Sequence, residues 1–204
     1  MKRWIAVLAL GFPLLALGED EAAQSGPPSA EPAEARSWQG VGTVEYVVVH
    51  PLHTVTGISR QAEIRAVADG AGLKVMGRAP VRSFDSGNAN RDAHMLEVVR
   101  AAQNPLVILR GLARGFRVPA APGSFDVQLE SEVQLAGVAA PARLSAQVEQ
   151  LPNGDWKVRF AFDHRLSAHS IERPKLLLVP VEDAVSIRGE ALLEAVDAKN
   201  DAKN

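Results

Sequence analysis

Runs in which apolar and polar residues alternate one by one fill the middle of this chain, and they constrain its fold more than any other feature. Phe125, Val127, Leu129, Val133 and Leu135 alternate with Asp126, Gln128, Glu130, Glu132 and Gln134. Ala142, Leu144, Ala146 and Val148 alternate with Arg143, Ser145, Gln147 and Glu149. Trp156, Val158, Phe160 and Phe162 alternate with Lys157, Arg159 and Asp163. Val185, Ile187, Ala191 and Leu193 alternate with Ser186, Arg188, Glu190 and Glu194. A strand points successive side chains to opposite faces, so each run has one apolar face and one face suited to water. Val44, Tyr46 and Val48 begin a further strand, and residues 58–67, 73–84 and 106–116 can supply three more. Turn-forming residues separate the runs: Asp69-Gly70, Ala120-Ala121-Pro122-Gly123, Ala136-Gly137-Val138 and Pro152-Asn153-Gly154-Asp155. The pattern amounts to about eight strands, the size of a small closed barrel. The expected fold class is mainly all-β, an antiparallel barrel.

One segment breaks the period. In residues 86–102, Ala89, Ala93, Leu96 and Val99 recur at helical spacing. Ser86 or Asn88 can cap the start, and Asn104-Pro105 ends it. A short helix is therefore expected between strands three and four, covering one end of the barrel.

The ends of the chain read differently. Lys2 and Arg3 precede an uncharged apolar stretch, and Ala16-Leu17-Gly18 places small residues before the acidic Glu19, Asp20 and Glu21. That is the order of a secretory signal peptide, and the stretch is short of the roughly 20 apolar residues that a membrane span needs. An uncleaved N-terminal anchor is the alternative. The expected organisation is a signal peptide over residues 1–18, a disordered Ala/Glu/Pro-rich spacer over 19–37, a barrel domain over 38–196 and a polar tail over 197–204. The expected location is secreted, in a bacterial periplasm.

Composition excludes several classes. The net charge of -2 gives no basic footprint for nucleic acid. Cysteine is absent, which rules out disulfides, a thiol nucleophile, a Cys zinc site and a lipoprotein's acylated cysteine. Aromatic residues are only 5% of the chain, too few for the aromatic girdles of an outer-membrane barrel. The charged outward positions also suit water, and no stable membrane span is expected.

Several short motifs then fall in a telling order. Tyr46-Val47-Val48-Val49-His50 leads to Val55-Thr56-Gly57, and Arg91-Asp92-Ala93-His94-Met95-Leu96 opens the expected helix. Asn104-Pro105-Leu106-Val107-Ile108 follows it, and Leu135-Ala136-Gly137-Val138-Ala139-Ala140-Pro141 makes a turn. Together these resemble the YceI-like family, also called lipid- or polyisoprenoid-binding proteins, from about Trp38 to Glu194. The resemblance implies a lipocalin-like barrel that holds a long apolar ligand, and it does not imply catalysis. One departure concerns the family's late Asp-Arg-x-x-Phe-Gly segment. Here His169-Ser170-Ile171-Glu172-Arg173-Pro174-Lys175 stands in its place, without the Phe-Gly.

The residues themselves point to a binder. Small inward candidates (Gly77, Ala79, Ala142, Ala146, Gly189 and Ala191) favour open volume inside the barrel. The expected ligand contacts are Tyr46, Phe125, Val127, Phe160 and Phe162 in the barrel, with Leu176 and Leu177 from an apolar, proline-bounded late run. That run reads either as a portal flap or as a buried plug. In the portal reading Arg165, Arg173 or Lys175, with Arg91 from the helix, meets a polar or anionic head group. No cofactor is expected, and the bound group that the resemblance implies is an isoprenoid or acyl lipid. The alternative is a ligand-free structural or stress-related barrel without catalysis. The oligomeric state is left open, a dimer included. Odd spacing puts His50 and His53 on opposite strand faces unless the chain bends at Pro51, and no HExxH pattern is present, so no metal is expected. No Gly-x-Ser-x-Gly or phosphate loop is present, and Ser83, Asp85 and His94 make a triad only by chance proximity.

Overall fold

The alternating runs become strands whose apolar residues share one enclosed interior. The computed structural model describes residues 35–176 and 179–196, with the backbone alone of Leu176. The expected signal peptide, residues 19–34 of the expected spacer, the polar tail and Leu177 lie outside the described residues. The elements run β1 (Arg36–His50), β2 (His53–Asp69), β3 (Gly72–Pro80), α1 (Ala89–Val98), β4 (Leu106–Arg114), β5 (Gly123–Leu135) and β6 (Val138–Gln150). They continue with β7 (Trp156–Arg165), the short β8 (Lys175–Leu176) and β9 (Val179–Pro180), and β10 (Ala184–Val196). Eight of them close an antiparallel barrel in the order β1-β10-β7-β6-β5-β4-β3-β2, while β8 and β9 form a separate two-stranded ribbon. Closure leaves the barrel sheet no unpaired edge.

Local chemistry adjusts several expected boundaries. β1 starts within the stretch read as spacer, because Arg36 and Ser37 already pair with Ala68 and Val67 of β2. The third strand stops at Pro80 instead of running to Phe84. There Val81–Ser83 forms a 3-10 turn, held by the Ser83 hydroxyl, which donates to the Pro80 carbonyl at 2.6 Å. This turn carries the chain over the upper half of β2, where Ile58 and Asp85 exchange backbone hydrogen bonds of 2.9 and 3.0 Å.

The helix is shorter than its apolar spacing suggested. Asn88 caps it by accepting the Arg91 N–H at 3.1 Å. At the other end Arg100 turns to a positive φ of 54°, and the Ala101 N–H closes back on the Leu96 carbonyl at 2.9 Å. That is a Schellman ending with arginine in the position that glycine usually takes.

The two ends of the barrel are built differently. At the end carrying the β2–β3 turn, Trp38 and Trp156 stack with ring centroids 3.7 Å apart. Phe125 meets the Trp156 ring edge-on at 5.7 Å, and Phe116 from the β4–β5 loop packs on both. Both tryptophans are 1% exposed, and the Trp38 indole donates to the Gly154 carbonyl at 2.9 Å. This aromatic floor seals that end. At the opposite end Val81, Val99, Ala136 and Ile171 form a second buried cluster with Met95, Leu96 and Leu166. Helix, 3-10 turn and late loop thus cover the barrel together, as expected of the helix.

Outside, charges pair across strands, as in Arg78–Glu63 at 2.6 Å and Arg188–Glu45 at 2.6 Å. Lipid does not tolerate such a face. No helix among the described residues is long and apolar enough to cross a membrane.

Candidate ligand cavity in the barrel

Strand register stacks the inner wall in layers. Phe160 of β7 pairs with Gly189 of β10, which pairs with Val44 of β1. One step up the same three strands present Phe162, Ile187 and Tyr46, and the next step presents His164, Val185 and Val48. Side chains two apart share a face, so these rows point inward together. Two glycines make room for the rings. A Cβ on Gly189 would stand 2.4 Å from Phe160, and one on Gly57 would stand 2.4 Å from the Tyr46 ring.

Between the floor and the cover lies a cavity of about 270 Å³. Its wall is almost wholly hydrocarbon: Val44, Ile64, Val75, Leu109, Val127, Leu129, Leu144 and Val158 along its length, Trp156 and Leu193 at the floor, Met95, Val99 and Leu166 under the cover. Such a wall offers burial energy of about 0.8 kcal/mol per CH₂ and few directional contacts.

Polarity is confined to the covered end. Tyr46 stands beside Phe84, with ring centroids 5.6 Å apart. Burial first, and then the Asp92 carboxylate, raise its hydroxyl pKa against the opposing charge of Arg91, so the phenol stays protonated. His164 and His169 face each other with Nε2 atoms 2.7 Å apart, and His169 Nδ1 donates to the Val138 carbonyl at 2.9 Å. His169 is fully buried. Desolvation, and then the charge of His169, lower the His164 pKa.

The expected contact residues fall into separate groups. Tyr46, Val127, Phe160 and Phe162 line the cavity. Phe125 stands in the aromatic floor against Trp156, because β5 enters the barrel at that end. Arg91 serves the helix start: its Nε and Nη2 donate to the Ser86 hydroxyl and carbonyl at 2.8 and 2.6 Å, while Asp92 accepts the Ser86 hydroxyl. Arg173 is exposed and donates to the Val181 carbonyl at 3.4 Å. Lys175 lies 3.8 Å from Glu172. Of the basic residues expected at the portal, Arg165 lines the cavity. The side chains of Leu176 and Leu177 lie outside the described residues.

The late loop is tied down at several points. Ser167 donates to Asp183 from its N–H at 2.8 Å and its hydroxyl at 2.6 Å, and these bonds hold the Asp183 pKa below the usual carboxylate range. Glu182 N–H donates to the Val49 carbonyl at 2.8 Å, and His50 Nε2 donates to the Val179 carbonyl at 3.1 Å. His50 and His53 pair directly, with rings 5.3 Å apart, because the chain turns at Pro51-Leu52 and restores them to one face. Ser83, Asp85 and His94 form no relay. Ser83 bonds the Ser59 hydroxyl at 2.6 Å, Asp85 accepts the Gly87 N–H at 2.7 Å, and His94 lies 3.7 Å from Glu97.

The sequence reading missed the histidine pair and the tryptophan floor. His164 had a signal: it continues the inward register of Trp156, Val158, Phe160 and Phe162. His169 had none, since only the tertiary fold brings it there.

No protein-family model matches the chain, and no curated protein matches its sequence. Solved structures do match. A polyisoprenoid binding domain from Saccharophagus degradans superposes with a TM-score of 0.63 at 14% identity, over 78% of this chain and 98% of that one. BcnA from Burkholderia cenocepacia gives 0.59 at 16% identity, over 74% and 95%. A YceI protein from Campylobacter jejuni gives 0.52 at 15% identity, over 73% and 89%. The resemblance read from the motifs is thus matched in three dimensions, and the chain has the closed antiparallel barrel fold of the YceI-like proteins.

Proposed function

We propose that this protein is a non-catalytic carrier that takes a long apolar chain, isoprenoid or acyl, into its barrel. The observation that carries the reading is the hydrocarbon-lined cavity of about 270 Å³ between the aromatic floor and the covered end. Tyr46, Val127, Phe160 and Phe162 are its chain contacts in this reading. The floor blocks that end, so the ligand enters tail first and leaves its polar end near Tyr46 and His164. The likeness to a polyisoprenoid binding domain supports the same class of ligand.

Export is part of the proposal: cleavage after Gly18 would release a periplasmic chain starting at Glu19. N-terminal sequencing of exported protein that still shows Met1 would overturn this part. The carrier reading is tested by native mass spectrometry of protein purified from its own host, followed by lipid extraction. A bound apolar species that an environment-sensitive dye displaces is the expected result. Protein that carries no lipid and binds no dye while folded would instead be the packed structural module.

A further inference from the structure

The cavity has a length as well as a wall, and the floor sets where it ends. Trp156 and Leu193 line its bottom. Trp38, Phe125 and Phe116 pack against the Trp156 ring from outside the cavity, with centroids 3.7, 5.7 and 6.4 Å away. A tail that reaches Trp156 therefore meets a ring backed by three others, in a packing too dense to yield as a lone flexible side chain would.

Two measures of the room above that ring agree. By volume, an apolar cavity of about 150 Å³ takes the six carbons of benzene, or about 25 Å³ per carbon. The cavity of about 270 Å³ then takes about eleven. By length, the inward residues of β7 above the floor run from Val158 to His164. Strands rise about 3.4 Å per residue and tilt about 40° in a barrel, so this stretch climbs about 15 Å. An extended chain advances about 1.2 Å per bond, since the three bonds of a residue span about 3.6 Å, and the climb then takes about twelve carbons. Volume over length gives a cross-section of about 18 Å², close to that of a single chain whose carbons pack about 4 Å from their neighbours.

Resting on the carrier reading, we propose that the barrel is a length ruler with Trp156 as its stop. It takes in one extended chain of about eleven carbons, and a longer chain leaves the excess outside the cover. Trp156 is the specificity-determining residue, and it acts by steric exclusion. Its Nε1 is buried and makes no hydrogen bond among the described residues, so a smaller apolar side chain there strands no acceptor.

The test titrates the straight-chain 1-alkanols from hexanol to hexadecanol by displacement of a bound apolar dye. The unmodified protein is expected to gain about fourfold in affinity per added carbon up to about eleven carbons, and nothing beyond. Trp156→Ala removes a ring that stands 3.7 Å from Trp38, so the cavity deepens by about that distance and the break moves to chains about three carbons longer. Should that variant fail to fold, tryptophan fluorescence of the unmodified protein decides. At equal occupancy, undecanol brominated at its tail end quenches it, and undecanol brominated beside the hydroxyl does not. Affinity that climbs unbroken through hexadecanol, a break that stays put in folded Trp156→Ala, or equal quenching by the two bromoalkanols overturns the ruler and leaves the carrier reading standing. If no alkanol binds at all, the carrier reading falls and the ruler falls with it.

Discussion

Substituting Ala146→Leu separates an open barrel from a packed one by the sign of its effect on stability. Ala146 lines the cavity between its cross-strand partners Val127 and Phe160 and is 7% exposed. In a filled core the larger side chain would overpack, costing about 1–3 kcal/mol. Here it meets a void of about 270 Å³. Its three added carbons then bury at about 0.8 kcal/mol each, roughly 2.4 kcal/mol in all. Leucine loses about 0.5–1 kcal/mol of rotamer entropy, which leaves a gain of about 1.5 kcal/mol. The same carbons occupy room that a ligand chain would use, so affinity for an apolar probe is expected to fall by about 50-fold. Urea unfolding reads the first number, provided the m-value is unchanged, and dye titration reads the second. Destabilisation by about 1 kcal/mol or more would show that the interior is already full. The reasoning about ligand volume would then be wrong.

Three further outcomes follow from the same geometry. Trp38→Phe removes the indole bond to Gly154 and part of the stack on Trp156, and it is expected to cost about 2 kcal/mol in guanidinium unfolding. An unchanged midpoint would mean the floor contributes little. Gly57→Ala places a Cβ 2.4 Å from the Tyr46 ring and is expected to destabilise by about 1–3 kcal/mol, with the loss abolished in a Tyr46→Ala background. Additive losses would show that the clash lies elsewhere. For pH, the His164 pKa is lowered in the folded state, so on acidification the unfolded chain takes up its proton first. The stability from its neutral ring is full above about pH 6.5 and falls as pH drops toward the folded value, where the slope ends. The fall in Tm from about pH 7.5 to 5.5 is expected to be smaller in His164→Phe than in the unmodified protein. Equal falls would refute the linkage.

The barrel was legible because its signal is local. Phe125 through Leu135 announces its inner and outer faces one residue at a time, and β5 has that register. The helix was legible in position, but its ends were not. Asn88 and the Arg100 turn set them through backbone bonds that apolar spacing does not encode. Strand three was overdrawn because apolar Val81 and Phe84 suit a strand, yet Ser83 bonds back to Pro80 and bends the chain.

The site was harder to read for a reason inherent in its chemistry. A wall that holds a hydrocarbon chain uses the same residues as a core that holds nothing, so Val127 and Leu144 carry no mark of which they are. Phe125 and Phe160 look alike in sequence. Only their height in the barrel makes one a floor and the other a wall, and height depends on how β5 and β7 pair with distant partners. Arg91 and Arg173 suggested a head-group role by their charge and their place outside the strands at the barrel mouth, although arginine's several donors are as easily spent on nearby backbone carbonyls. In an apolar cavity the informative residues are the polar exceptions that hold an inward register. Counting by twos from Trp156 reaches one of them at His164, whose Nε2 meets that of His169 at 2.7 Å.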